Sequence, residues 1–353
     1  MKILHIADLH LGASLSTHLD AERVRIRRRE LLRSLGDAVE FGVRNGARAV
    51  LIAGDLFESE SVGDRILSHV CEVISSYAPL PFFYVTGNHE RDVLLSYRDK
   101  PKNLYTFTSE ITGYELSEVC ILGTNESSPE MLRSLRLHET KKNIFLFHGE
   151  VRERSDFGGV IGLSELAHRG IDYLALGHYH TYGVKKIEGG GVAVYAGVPE
   201  GRGFDELGKK GVVLFDSDDC VPHFYSTAKR TYHELHMDIG ACHSHEEILK
   251  WVNDTARNCT REDLVRLIIT GERAPTFHID HERIRLTFEE RFWYFELVDK
   301  TSTSAQDDSL RYDRSLRGEF VRLVLSDEGL SEEEKREIID CGLLALSGEE
   351  MRL

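Results

Sequence analysis

Along the first two-thirds of the chain, short apolar runs recur, and most end in Gly, Asp, Asn or His. They are Ile3–Ala7, Ala49–Ala53, Phe82–Val85, Cys120–Leu122, Ile144–Phe147, Tyr173–Leu176, Val192–Tyr195, Val212–Phe215 and Val221–Tyr225. Runs this short, rich in Val, Ile, Phe and Tyr and bounded by turn residues, predict buried strands. The early ones alternate with helical patterns at Ala21–Asn45, Val62–Tyr77 and Pro129–His138, which predicts βαβ units. The later ones follow one another closely, with Glu188–Gly191 as a hairpin turn, which predicts antiparallel pairing. The expected fold class is α/β: a two-sheet α/β sandwich with helices outside.

From about residue 230 the pattern changes. Tyr232–Met237, Leu264–Thr270 and Phe292–Val298 predict strands. Ser244, with Glu247 three residues on, makes a capping box that opens a helix through Arg257, and a second helix is expected around 278–289. Together these predict a small α/β capping domain. The polar stretch Thr301–Ser309 reads as a linker. Two helices follow. Leu316, Phe320, Val321 and Val324 share a face of the first, which Gly329 stops. Ser331 and Glu334 cap the second, whose stripe is Ile338, Ile339, Leu343 and Leu346. The expected division is 1–230, a capping domain at 231–300, a linker at 301–312 and a C-terminal helical segment at 313–353.

Composition bounds these readings. The 353 residues exceed the roughly 250–300 that one core sustains, so several domains are expected. No apolar run approaches the roughly 18 residues that cross a bilayer, and the first residues lack a signal peptide's pattern, so no membrane association is expected. Six scattered cysteines without CxxC spacing predict free thiols and a cytoplasmic protein. The net charge of −15 argues at first against a nucleic-acid substrate. Residues 1–235, however, hold 28 basic and 33 acidic groups, a net −5, and the remainder 16 and 26, a net −10. Two divalent cations would offset most of the first figure. The acidity of the last third fits a protein partner better than DNA.

Five short motifs stand directly after apolar runs: Asp8-Leu9-His10, Gly54-Asp55, Gly87-Asn88-His89-Glu90, His148-Gly149 and Gly177-His178-Tyr179-His180. Ligands of α/β sheets gather at the carboxyl ends of strands. Asp-x-His and His-x-His put two donors on the same side of an extended backbone. With a carboxylate able to bridge, this is what two metal ions about 3.5–4 Å apart require. A single such histidine is usually structural; five motifs in this order are not explained that way.

These motifs resemble those of the calcineurin-like metallophosphoesterase superfamily. Within it, the chain is similar to the SbcD-type DNA-repair exonucleases, the nuclease subunits of SbcC–SbcD complexes. Three features carry that likeness: the early Asp8-Leu9-His10-Leu11-Gly12, the stretch Tyr195–Glu200 followed by Phe204–Gly211, and the order of domains. The resemblance implies that Asp8, His10, Asp55 and His180 hold one metal ion, and Asp55, Asn88, His148 and His178 the other. The mixed O/N donor set suits Mn²⁺, with Fe or Zn as alternatives. It further implies a metal-activated hydroxide attacking a phosphodiester, His89 assisting the leaving group, and DNA as substrate. The implied partners are an SbcC-like coiled-coil ABC ATPase, docked through residues 310–347, and a second copy of the chain. Glu58 stands where relatives carry His or Asp, Val198 where Ser is usual, and Glu90 where Asp is commoner.

The metal site alone also serves small-molecule and phosphoprotein phosphoesterases. A non-catalytic scaffold should have lost ligands, and here all seven are present. Gly203–Lys210 nearly matches a nucleotide-phosphate loop, but lacks the final hydroxyl and precedes a strand, so a turn is expected. Arg23, Arg25, Arg27, Arg28, Arg29 and Arg33 either meet nucleic-acid phosphates or form a solvated helix face. Cys242-His243-Ser244-His245 reads as a helix start, and Trp293-Tyr294 as strand core.

Overall fold

Apolar residues on both faces of a strand require cover on both sides, and the central strands here receive it. In chain order the elements of the first unit are β1 (Lys2–Ile6), α1 (Ala21–Arg44), β2 (Ala47–Ala53), α2 (Asp64–Ser76), β3 (Phe82–Val85), β4 (Leu104–Thr106), β5 (Thr112–Leu116) and β6 (Val119–Gly123). They continue with β7 (Lys142–His148), β8 (Val151–Arg152), β9 (Ile161–Gly162), α3 (Leu163–Leu166), β10 (Tyr173–Gly177), β11 (Gly183–Lys186), β12 (Val192–Tyr195), β13 (Gly211–Asp216) and β14 (His223–Ser226). This computed structural model describes the chain except residues 16, 91–92, 95, 127–131, 133–134, 154–159, 241, 243, 274–276, 278, 304–313 and 348–353.

Two six-stranded sheets result, ordered β14-β13-β1-β2-β3-β4 and β11-β12-β10-β7-β6-β5. Side chains alternate between the faces of each strand. Leu4, Ile6, Val50, Ile52, Phe82 and Tyr84 pack under α1 and α2. Their neighbours Ile3, Ala49, Leu51 and Phe83 meet Ile144, Leu146, Tyr173 and Ala175 of the other sheet. Double-sided burial explains why these strands read as continuous apolar runs instead of alternating ones. β1, β2 and β3 run parallel, as do β7 and β10, so each sheet gathers several carboxyl ends along one edge.

The expected antiparallel pairing of the later strands holds across the glycine hairpin, β11 with β12, and for β13 with β14, and needs correction at one place. β12 pairs parallel to β10, because the glycine hairpin joins β12 instead to the edge strand β11. The helix expected at Pro129–His138 falls largely outside the described residues, and Leu135–His138 are not helical.

The chain divides into two units, Met1–Thr231 and Tyr232–Leu353. The second holds β15 (Tyr232–Asp238), α4 (His245–Thr255), β16 (Leu264–Arg273), α5 (His281–Glu289) and β17 (Tyr294–Thr303), all three strands parallel. The Ser244 hydroxyl accepts the Glu247 N–H at 3.3 Å, as a helix start should. Phe288, Phe292 and Phe295 pack together in the core of this unit. β17 continues through Thr301, Ser302 and Thr303, which pair with Gly271–Arg273, so the first three residues of the expected linker are strand. Polar β-compatible residues satisfy a ladder as well as apolar ones do. The rest of the linker lies outside the described residues.

The helices Leu316–Leu325 and Glu332–Ser347 close on Val321, Val324 and Ile339. Ser331 and Glu334 form the expected capping box: the carboxylate accepts the Ser331 N–H at 2.8 Å, the hydroxyl the Glu334 N–H at 3.3 Å. Leu316 does not join the buried face; it is 71% exposed.

Candidate metal centre

The five motifs meet where the strands of both sheets end. Asp8 and His10 follow β1, Asp55 follows β2, Asn88 and His89 follow β3, His148 closes β7, and His178 and His180 follow β10. Asp8 (φ 53°), His10 (φ 45°), Asp55 (φ 48°) and His178 (φ 103°) all adopt left-handed backbone. They are four of the seven non-glycine residues that do so among the described residues. Such conformations cost on the order of 1–3 kcal/mol each and persist where surrounding structure imposes them. The glycines of the motifs serve close approach. A Cβ on Gly87 would lie 2.0 Å from Asp55 Oδ1, and one on Gly177 2.0 Å from the Ala53 carbonyl oxygen.

Asp55 is central. Its Oδ2 lies 3.3 Å from His148 Nε2 and 3.6 Å from His10 Nε2, and its Oδ1 accepts the His89 N–H at 3.1 Å. His148 Nε2 is 2.8 Å from Asn88 Oδ1. His10 Nε2 and His180 Nε2 face each other at 3.2 Å. Asp8 accepts the His178 N–H on both oxygens, at 2.9 and 3.0 Å, and the His178 ring stands 5.6 Å from that of His148. The His89 ring lies 4.9 Å from His10. All eight residues singled out from the sequence therefore converge.

The outward nitrogens are engaged as well. His148 Nδ1 meets the Ala53 carbonyl at 2.8 Å, His10 Nδ1 meets Glu58 Oε2 at 2.9 Å, and His180 Nδ1 meets Glu206 Oε1 at 2.8 Å. With Nδ1 engaged outward, each ring turns its Nε2 inward, the arrangement that metal-holding histidines share. Arg202 joins the two carboxylates, with Nη1 3.4 Å from Glu58 and Nη2 2.5 Å from Glu206. Sequence reading left Glu58 without a role and assigned none to Arg202 or Glu206. No local spacing in Phe204–Gly211 pairs Glu206 with His180. Gly203–Lys210 is a turn before β13, as expected, and Lys210 Nζ donates to the His180 carbonyl at 3.0 Å.

Charge in the cluster is unevenly held. Burial pushes the Asp8 carboxyl up to about 7. Burial would raise Asp55 too, but its hydrogen bond with His148 brings it down to about 2. Burial works to lower His148, yet Asp55 and Asp8 outweigh it and hold the imidazole at about 9. Burial, then the Arg202 charge, lowers His10 to about 3. Two carboxylates and the inward ring nitrogens thus lie close enough to converge on one point. Asp8, His10 and Asp55 present one ligand atom each within 4.8 Å of one another, a plausible seat for a divalent cation.

The Arg stretch divides. Arg27 is fully buried on α1, bonded to Glu30 (2.5 Å), Glu200 (3.0 Å) and the Gly201 carbonyl (2.6 Å). It meets no nucleic acid there. Arg25, Arg28, Arg29 and Arg33 remain exposed. Cys242 is half-buried against the core of the second unit, and His243 lies outside the described residues.

Residues 1–182 match the model of the calcineurin-like phosphoesterases. Beyond that domain, the chain is similar to the DNA double-strand break repair protein Mre11 of Sulfurisphaera tokodaii, at 25% identity over 96% of this chain and 92% of that protein. The proteins of the same name from Saccharolobus solfataricus (23% identity, 96% of this chain and 93% of that one) and Sulfolobus acidocaldarius (22%, 80% and 75%) are similar too. With the matched domain covering more than half of the chain and the metal-binding geometry in place, this is a metal-dependent phosphoesterase that belongs to the calcineurin-like phosphoesterase family.

Proposed function

We propose that the protein is a dinuclear-metal DNA exonuclease, the nuclease subunit of an SbcC–SbcD-like repair complex. The observation that carries this reading is the reach of the likeness to Mre11 proteins: it spans 96% of the chain, far past the phosphoesterase domain. In this reading Asp8, His10, Asp55 and His180 hold one cation and Asp55, Asn88, His148 and His178 the other, with Asp55 shared. The donors are carboxylate, amide and imidazole without sulfur, a set that suits Mn²⁺. When bound, two such ions supply Lewis-acid charge at the phosphoryl oxygens and acidify water.

The chain's own groups supply the rest. Glu58 and Glu206 fix the rings of His10 and His180. His89 Nδ1 lies 3.1 Å from the Glu58 carbonyl oxygen; an Nδ1–H donated there orients the ring, and in its imidazolium form the Nε2–H would pass its proton to the leaving oxygen, leaving the neutral imidazole. Leu316 and Leu323, seven residues apart on one helix face and 71% and 70% exposed, support docking of an SbcC-like coiled-coil ATPase. The same resemblance points to a homodimer, and the free cysteines to the cytoplasm.

The test is digestion of linear duplex DNA by the purified protein with Mn²⁺, lost on chelation. His89→Ala should keep manganese binding by calorimetry and lose turnover by about 10²–10⁴-fold. Hydrolysis of a chromogenic diester with none on DNA would overturn the nuclease reading.

A further inference from the structure

The second unit carries a set of donor side chains that phosphoester chemistry does not use. His233 is the second residue of β15, Cys259 lies in the turn after α4, and Asp263 directly precedes β16. Because Tyr232 pairs with Leu264, the two parallel strands start side by side and bring His233 next to Asp263. One nitrogen of His233, the Cys259 sulfur and one oxygen of Asp263 all lie within 4.8 Å of one another.

Three features make this more than a chance cluster. His233 Nε2 is sealed from water and has no hydrogen-bond partner among the described residues. Asp263 Oδ2 stands 3.4 Å from it, near the edge of a tetrahedron whose metal–ligand bonds are about 2.0–2.2 Å. The turn is also held in place without an ion. Asp263 Oδ2 accepts the Thr260 N–H at 2.7 Å, the Asp263 carbonyl accepts the Trp293 N–H at 3.0 Å, and the Cys259 N–H reaches the Ala256 carbonyl at 3.0 Å. On the outer side of Cys259 lies a cavity of about 520 Å³, lined also by Thr260, Arg261, Thr287, Glu290 and Arg291.

The geometry points to a second, independent cation site on His233, Cys259 and Asp263, of the thiophilic kind that zinc fills, with its fourth position open to that cavity. Thiolate, imidazole and carboxylate together suit zinc, whereas magnesium and calcium take oxygen donors. A bound ion would tie the turn between α4 and β16 to the start of β15. It would leave water or a small anion as the fourth ligand, beside Arg261.

The phosphoesterase centre contains no cysteine, which makes the two sites separable by spectroscopy. Full-length protein stripped of metal is titrated with Co²⁺ and followed in the near ultraviolet, where only a thiolate ligand produces sulfur-to-cobalt charge transfer. The band should rise to saturation, collapse on adding Zn²⁺, survive Cys242→Ser and vanish in Cys259→Ser. An absent band in the parent protein, or an undiminished one in Cys259→Ser, overturns the proposal. Folding of the variant is checked by manganese-dependent turnover, which should stay at the parent level. A second measurement needs no variant. Zn²⁺ at ten times its dissociation constant should slow alkylation of Cys259, located by mass spectrometry, by about tenfold. Alkylation at an unchanged rate counts against the site.

Discussion

Three histidines of the phosphoesterase centre are each oriented from behind, His148 by the Ala53 carbonyl, His10 by Glu58 and His180 by Glu206. A backbone carbonyl cannot be removed by a side-chain mutation, but the carboxylates can. Burial would raise Glu206, yet His180 and Arg202 bring its carboxyl down to about 2, so it stays ionised and able to accept from His180 Nδ1–H. Glu206→Ala should weaken manganese binding by about 10–100-fold in calorimetric titration, the usual cost of removing such a support. Affinity at the parent level would reduce Glu206 to an ion-pair partner of Arg202. The convergence of the donor motifs was legible from local order alone, because Asp-x-His and His-x-His need only two residues of spacing after a strand. The supports were not, since Glu206 reaches His180 from a separate turn and Glu58 meets His10 across 48 residues of chain.

Helix α1 shows what patterning carries and what it misses. Asp20 caps it through the Glu22 and Arg23 N–H groups, and Leu31, Leu35, Ala38, Val39 and Gly42 make its buried stripe. Its arginine-rich start looked uniformly polar, yet Arg27 turns inward to Glu30 and Glu200, and Arg230 clamps Glu30 from the other side at 2.7 Å. Cutting Arg27 to Ala takes the guanidinium from buried Glu200 and leaves Glu30 to Arg230; breaking a buried pair in this way costs about 3–5 kcal/mol. Urea denaturation should show that loss, while Arg25→Ala, on the exposed face, should change stability little. Burial works to raise Glu30, but its hydrogen bonds to Arg230 and Arg27 hold its pKa below the ordinary value. The stability this pair contributes is therefore present above the unfolded carboxylate pKa of about 4.3 and is lost as pH falls through the lower folded value. Glu30→Gln should flatten that acid limb in a pH series of melting temperatures. An unaltered limb would show that Glu30 titrates alike in both states.

At the scale of the whole molecule, the family match covers the first unit's motifs, and the proposed docking of a partner falls to the tail beyond it. Val321, Val324 and Ile339 pack the two last helices against each other, leaving Leu316 and Leu323 outside. Leu316→Asp with Leu323→Asp should abolish co-purification with the coiled-coil ATPase while manganese-dependent digestion of DNA continues. Retained binding would move the docking surface elsewhere. The sequence by itself determined the α/β class, the two-sheet layering and the order of donors at the strand ends. Those depend on apolar runs and on spacings of a few residues. Only the tertiary structure decided the parallel pairing of β12 with β10, the inward turn of Arg27, the carboxylates behind His10 and His180, and the meeting of His233, Cys259 and Asp263. Each of these joins residues far apart along the chain, and periodicity carries no record of such contacts until the strands have been set side by side.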